Sequence, residues 1–312
     1  VLYFDYYFVF NVTILLGNTM KILIAIGGRE FSKPTLDLGM KIANSFKSST
    51  TIAYVGKKIS QFSEKDVSVV HQNLDDRELY RPGIRTLEWA YDFLISKKYI
   101  EEKDSNKFND YLLVDEENSR MKVLLKGQQS DKIDLIMRTG EIIEQLKNEV
   151  ETNKHDITII GGGGNKGIHQ KLVQFIDSSV FVVKNYSVNK KYRILLPINE
   201  SKGSDMAIET AINFAKSYKL DVEIVSVPEG KKSIEEVEKI LLKTKDKFLK
   251  NKIKASTKLI SGSAVNSIVN HAKDDSIVIL GVSPKNPIMK YFFGSKPLSI
   301  AQKCNCPVLI TK

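Results

Sequence analysis

The length, composition and charge of the chain place it among folded proteins of about two domains. It has 312 residues, of which 42% are apolar and 27% are charged, and typical domains contain roughly 100–200 residues. This composition excludes a largely disordered chain. The formal charge is +10, and residues 186–312 hold 22 Lys and Arg against 12 Asp and Glu, so the excess lies there. Both an anionic ligand in this half and a solvated Lys-rich helix over residues 231–258 fit that charge.

The first 17 residues are apolar and aromatic, but their pattern fits neither a membrane span nor a signal peptide. Asp5 interrupts them, and a span needs roughly 20 apolar residues. They also lack the basic start and the small-residue cleavage site of a signal peptide. Because Met20 directly precedes a strong strand pattern, we predict that residues 1–19 are an upstream extension and that Met20 is the true start. A membrane-associating tail is the alternative.

The cysteines, histidines and glycines of the sequence lack the spacing of common catalytic and metal-binding motifs. Cys304 and Cys306 are the only cysteines. They cannot form a disulfide framework, which favours a reducing, cytoplasmic location, and they are too few for a structural metal site. The four histidines lack ligand spacing, and neither a GxxxxGK[ST] loop nor a GxSxG turn is present. We therefore assign no catalytic residue and expect no nucleic acid partner.

The clearest feature of the sequence is an internal repeat. Residues 21–55 align without a gap on residues 193–227, with Ile22 opposite Ile194. Both segments read as an apolar run, a polar loop, an amphipathic helix and a second apolar run. The repeat resumes where residues 136–146, 156–162 and 179–184 match residues 259–269, 276–282 and 307–312. Each copy therefore reads as β-α-β, a helix, β-α-β and a closing strand.

Alternating strands and helices of this kind predict an α/β fold with parallel sheets and right-handed crossovers. We place the first domain at residues 20–185 and the second at residues 191–312. The first copy carries an additional segment at about residues 72–130. In it we predict a helix near residues 84–95 and a hairpin over residues 111–125, together forming a surface elaboration.

The loop after the apolar run at residues 276–280 is the candidate ligand loop of the second copy. Gly281 ends the predicted strand, and Gly294 and Ser295 precede the next helix. Serine is a favoured helix N-cap, and the free N–H groups of a helix start suit a phosphate group. Open α/β sheets bind ligands at this end of their strands.

These residues resemble the motif of the universal stress protein family. Its ATP-binding members carry a glycine, two residues, a glycine, nine residues, and then a glycine and a serine. Gly281, Gly294 and Ser295 fit that spacing, whereas Pro284 replaces the middle glycine. The resemblance implies two tandem Rossmann-like domains with five-stranded parallel sheets that pair through their last strands. Residues 180–184 and 308–312 would then lie edge to edge.

The resemblance also implies an adenine nucleotide site in the second copy, with ATP, and Mg²⁺ accompanying it, as the ligand. Asn199 takes the place of an aspartate near the ribose, and Val227 falls where the family's backbone meets adenine. The phosphates would contact Gly281, Ser283, Gly294, Ser295 and Lys296. The implied role is a regulatory or stress-response protein with at most slow ATP hydrolysis, and with a protein partner or a homodimer as further possibilities.

Two alternatives to a regulatory nucleotide-binding protein stay open, and the first follows from the residues that depart from the motif. Pro284 lacks a backbone N–H, and Asn199 lacks the charge of aspartate. Both favour a pseudo-nucleotide-binding domain that serves as an interaction or dimerisation module without a ligand. A nucleotide-using transferase or hydrolase is the other alternative. The matching loop of the first copy, residues 161–172, begins with four consecutive glycines but has no glycine–serine pair, which favours a flexible turn over an anion cradle.

Overall fold

The computed structural model describes residues 19–56, 76–100, 112–116, 120–124, 132–163, 166–228, 233–282 and 296–312. The predicted extension up to residue 18 lies outside these residues, as do residues 72–75, 101–111, 117–119 and 125–130 of the additional segment. The described chain forms two compact units, one comprising the residues up to Arg29 together with 39–156, the other comprising 30–38 with 157–312. The domain boundary at residues 185–191 inferred from the repeat stays a prediction.

Strands and helices alternate along the described residues, as the repeat predicts. The strands are β1 (Lys21–Ile26), β2 (Ser49–Gly56), β3 (Leu112–Glu116), β4 (Arg120–Leu124), β5 (Ile133–Thr139), β6 (Ile157–Gly161), β7 (Ser179–Val183), β8 (Arg193–Pro197), β9 (Val222–Ser226), β10 (Ala255–Leu259), β11 (Ser276–Gly281) and β12 (Val308–Thr311). The helices are α1 (Arg29–Phe46), α2 (Asp76–Ser96), α3 (Ile142–Asn153), α4 (Lys166–Phe175), α5 (Lys202–Tyr218), α6 (Ile234–Lys250), α7 (Ala264–His271) and α8 (Lys296–Lys303).

The first unit contains a sheet with the strand order β1-β2-β5-β4-β3. Strands β1, β2 and β5 are parallel, and β4 and β3 continue the sheet in antiparallel fashion. The predicted hairpin over residues 111–125 is confirmed as β3 and β4, and the helix predicted near residues 84–95 is confirmed within α2. The additional segment therefore extends the sheet by two strands.

The second unit contains the sheet order β10-β9-β8-β11-β12-β7-β6. The five strands of the second copy, β8 to β12, are parallel. Across the sheet they lie in the order third, second, first, fourth and fifth strand of that copy. The core of the sheet is apolar on both faces, as expected of parallel strands covered by helices. Ile194, Leu195 and Leu196 in β8 and Ile279 in β11 are fully buried.

The last strands of the two copies pair, which confirms the prediction made from the family resemblance. β7 and β12 run antiparallel, with Val308 opposite Val182, Leu309 opposite Phe181 and Ile310 opposite Val180. We call this pairing the seam. Each strand thereby covers the edge that the other would expose, and exposed edges are sites of unwanted association.

The structure corrects the register of one segment of the repeat. Gly140 and Gly262 each stand directly before a helix N-cap, and both have positive φ angles of 144° and 107°. They are therefore equivalent, whereas the ungapped match of residues 136–146 with 259–269 set Gly140 against Ser263. The sequence pattern of strand, glycine and helix was right, but its alignment was shifted by one position.

Candidate functional site

Three of the residues predicted to bind a ligand lie at one edge of the sheet in the second unit. Parallel pairing sets Pro197 of β8 beside Val225 of β9, and Gly281 at the end of β11 beside Thr311 of β12. β8 lies between β9 and β11. The connection after β8 leads to β9 on one side and the connection after β11 leads to β12 on the other, which makes the gap beyond β8 and β11 the topological switch point of the sheet. Ligands of open α/β sheets bind at such points.

Gly281 is required by a close approach of two backbone segments. A Cβ atom at this position would overlap the carbonyl group and Cα of Gly203, which lies in the first turn of α5. The glycine therefore brings the end of β11 against the start of α5, directly beside the switch point. Packing alone explains this glycine. No local pattern indicates Gly203 as its partner, because the two residues are far apart in the chain.

Asn199 is exposed beyond β8 and belongs to the hydrogen-bond network at the start of α5. Its Oδ1 accepts hydrogen bonds from the hydroxyls of Ser201 (2.6 Å) and Ser204 (2.8 Å), and its backbone N–H donates to Ser204 Oγ (2.9 Å). A separation of 2.6 Å suits O–H···O geometry better than N–H···O geometry. The outward-facing group of Asn199 is therefore its amide nitrogen, which has no partner among the described residues.

Val227 follows β9 at the same level as Asn199 follows β8. The Ser226 hydroxyl donates a hydrogen bond to the Ile198 carbonyl (3.0 Å), and the Ile198 N–H donates to the Val225 carbonyl (2.9 Å). These bonds fix the two strand ends side by side. Val227 is half-buried and lies just beyond β9, beside the position of Asn199 beyond β8.

Lys296 is the first residue of α8 and is exposed. The other predicted phosphate contacts, Ser283, Gly294 and Ser295, lie outside the described residues, as does Pro284. Their roles stay predictions. The structure therefore brings Asn199, Val227 and Gly281 to one edge of the sheet. Lys296 begins α8, the helix that follows β11 in the chain.

The glycine-rich loop of the first copy has structural reasons for two of its glycines. A Cβ on Gly161 would lie 2.9 Å from Thr35 Oγ1, and a Cβ on Gly162 would overlap the stem of Lys184 and lie 2.9 Å from the Val183 carbonyl oxygen. The absence of a side chain at these two glycines leaves room for their neighbours. The sequence could not indicate these contacts, because none of the neighbours is close to Gly161 or Gly162 in the chain.

Two absences can be stated for the parts of the chain described here. Across those residues, no group of three His, Cys, Asp or Glu side chains is placed to hold a metal ion. In the same residues, no helix is both long enough and apolar enough to cross a membrane. Cys304 and Cys306, which precede β12, are both free and buried.

The strand order, the parallel pairing and the glycine at the end of β11 define a Rossmann-like α/β domain with its crevice at the switch point. The sequence profile described as "Universal stress protein family" matches residues 192–312. The chain is also 26% identical over 147 residues to universal stress protein YxiE of Bacillus subtilis strain 168, a match that covers 38% of this chain and 98% of that protein.

Solved structures extend the comparison. A universal stress protein from Archaeoglobus fulgidus DSM 4304 is similar over 94% of this chain and 96% of its own, with 14% identity and a TM-score of 0.61. A universal stress protein of Archaeoglobus fulgidus in complex with dAMP is similar over 39% of this chain and 98% of its own, with 16% identity and a TM-score of 0.31. Residues 192–312 are thus similar to the universal stress protein family, and the fold of the solved structures extends over nearly the whole chain.

Proposed function

We propose that the second copy, residues 191–312, binds an adenine nucleotide and that the bound nucleotide regulates this protein in a stress response. The observation that carries the proposal is the meeting of Asn199, Val227 and Gly281 at the switch point. In this arrangement the adenine lies against the Val227 backbone, the ribose lies near the Asn199 amide, and the phosphates lie between Gly281 and the start of α8.

The phosphate contacts would come from residues 281–296. The first turn of a helix offers N–H groups that have no partner within that helix, which suits an anion. In α8 the second residue, Pro297, supplies no N–H. Gly294 and Ser295 would allow the phosphate oxygens to approach that backbone, and Lys296 and Ser283 would add charge and a hydroxyl. With no three-residue metal group in the described residues, Mg²⁺ would be carried by the phosphates of ATP.

The test is calorimetric titration with two adenine nucleotides, ATP and dAMP. GTP is the control for the identity of the nucleobase. We expect ATP to bind and GTP to bind at least tenfold more weakly, since the adenine edge would meet backbone groups at Val227. Gly294→Val should abolish ATP binding by blocking the approach to the start of α8. Gly163→Ala, in the first copy, should leave binding unchanged, since its new Cβ would meet only Phe31 at 3.6 Å. Unchanged ATP affinity in a folded Gly294→Val protein would refute the site.

A second candidate is a ligand-free interaction module, and one observation favours it. The contact between Gly281 and Gly203 accounts for this motif glycine without any ligand, and Pro284 removes one N–H from the loop. Native mass spectrometry of gently purified protein separates the two candidates. A nucleotide that remains bound to the intact chain supports the first, and its absence together with no ATP binding in solution supports the second.

A further inference from the structure

Lys184, at the end of β7 in the first copy, contacts the last turn of α8 in the second copy. Its Nζ donates hydrogen bonds to the carbonyl oxygens of Ala301 (2.7 Å), Gln302 (3.1 Å) and Cys304 (3.3 Å). The next residue, Asn185, donates from Nδ2 to the Asn305 carbonyl (2.9 Å). Two consecutive residues of the first copy thus bind four carbonyl groups within residues 301–305, at and just after the end of α8.

These contacts matter because α8 is short. At about 1.5 Å per residue its eight residues extend about 12 Å, and isolated helices of this length are marginal in water. The last four carbonyls of a helix have no partner within it. A lysine ammonium at this end pairs with those carbonyls and interacts favourably with the helix dipole. Lys184 therefore helps to determine whether and where α8 forms.

The chain provides space for the Lys184 side chain. Gly162 follows β6 and donates its N–H to the Val183 carbonyl (2.7 Å), and a Cβ at Gly162 would overlap Lys184 Cγ. In the second copy the position equivalent to Gly162 is Val282, whose N–H donates to the Thr311 carbonyl (3.0 Å). The glycine therefore occurs only in the copy whose lysine reaches α8.

The equivalent lysine of the second copy, Lys312, makes a smaller contact. Its Nζ donates to the carbonyl of Ile176, just after α4 of the first copy, and its backbone N–H donates to Ser179 Oγ (3.3 Å). Both lysines thus reach across the seam to the end of the other copy's helix. Lys184 binds three carbonyls and Lys312 binds one among the described residues, which makes the pair unequal.

We infer that Lys184 is a positioning residue for the ligand site, through which the first copy holds the phosphate-binding helix α8 of the second copy in its binding geometry. This inference rests on the proposed function, because it assigns the phosphate to the start of the same helix. The first copy, which lacks the glycine–serine pair, then contributes to binding without contacting the ligand.

Lys184→Met tests the inference, and Lys312→Met is the matched control. Both changes remove one cross-seam ammonium, and Lys184→Met should lower the melting temperature more, because it removes three carbonyl contacts and Lys312→Met removes one. At pH 7 Lys312 is charged, since burial lowers its pKa only to about 8. Lys184→Met should weaken ATP binding at least tenfold, and Lys312→Met should change it less than twofold. Lys184→Arg, which keeps the charge and the donors, should restore most of the affinity.

A second pair of variants displaces Lys184 without removing it. Gly162→Ala should push its stem away from the end of α8 and weaken ATP binding in the same direction, whereas Gly163→Ala should not. Equal losses of affinity in Lys184→Met and Lys312→Met would overturn the inference, because the effect would then follow from stability alone.

Amide hydrogen exchange without ligand separates the inference from the proposed function. Lys184→Met should speed exchange in α8 at least tenfold, whereas Lys312→Met should affect α4. Unchanged exchange in α8 would overturn the positioning role whether or not ATP binds. Faster exchange in α8 combined with no nucleotide binding by the unaltered protein would refute the ligand site and its coupling to Lys184, and would leave the helix contact alone standing.

Discussion

At the scale of single residues, Asn199 decides which group the protein would offer to a ribose. The hydroxyls of Ser201 and Ser204 both donate to its Oδ1, so the exposed amide nitrogen can only donate. A ribose hydroxyl would have to turn its oxygen toward Asn199 and find another acceptor for its proton. The residue can therefore hold a ribose, but less well than a carboxylate with a second oxygen.

We predict that Asn199→Asp raises the affinity for ATP about tenfold. One carboxylate oxygen would keep the bonds to Ser201 and Ser204, and the other would accept a ribose hydroxyl, since hydrogen bonds to charged groups contribute about 1.5–3 kcal/mol. Titration calorimetry with ATP and with a nucleotide whose 2′ and 3′ oxygens are both methylated measures the effect.

The methylated nucleotide should gain nothing from Asn199→Asp, because it has no hydroxyl proton to donate. An equal gain for both ligands, or a loss for ATP alone, would show that residue 199 does not face the ribose. Ser201→Ala would serve as a control for damage to the α5 cap, since it removes the cap hydroxyl while Ser204 still donates to Asn199 Oδ1.

At the scale of secondary-structure elements, a buried cluster of charges attaches the additional hairpin to α3. Glu149 is fully buried and accepts hydrogen bonds from Arg138 Nε (2.8 Å) on β5 and Arg120 Nε (3.1 Å) on β4, and from Asn153 Nδ2 (2.8 Å). Arg120 also pairs with Glu116 of β3. One carboxylate thus holds β4, β5 and α3 together.

We predict that Glu149→Gln lowers the free energy of unfolding by about 3–5 kcal/mol, because Arg138 would remain buried without a full charge partner. Urea denaturation measures the loss. Glu151→Gln on the same helix is the control: Glu151 is about half exposed and lies 3.6 Å from Lys147, and an exposed pair contributes about 0–1 kcal/mol. Similar losses in the two variants would contradict the inference that Glu149 holds β4, β5 and α3 together.

How well the elements could be predicted depended on whether their cause is local. The hairpin over residues 111–125 and the helix within α2 follow from hydrophobic periodicity, which depends only on residues close together in the sequence. The contact of Gly281 with Gly203 and the packing of Lys184 on Gly162 join distant residues, so no local pattern indicates them. The shifted match of Gly140 arose because an ungapped alignment cannot recognise equivalent backbone conformations.

At the scale of the whole molecule, the seam contains the residues that couple the two copies. Phe181 of β7 is fully buried opposite Leu309, and its ring meets Phe214 of α5 edge-on with centroids 6.0 Å apart. An aromatic residue of the first copy therefore packs on a helix of the second. The resemblance predicted the pairing of the strands, but not this ring contact.

We predict that Phe181→Ala lowers the free energy of unfolding by about 3–5 kcal/mol, the usual cost of truncating a buried phenylalanine. Phe175→Ala, at the end of α4, should cost much less, because Phe175 is 42% exposed. Thermal or urea unfolding of both variants compares them. Comparable losses would mean that the seam contributes little to the stability of the chain.

The seam has one more consequence. Two separate chains that met through these strands would come apart on dilution, whereas strands held on one polypeptide stay together at any protein concentration. Fusion also fixes the ratio of the two halves at one to one and keeps each half with the same partner. One half is then free to lose its own ligand loop through mutation, provided that it continues to support its neighbour.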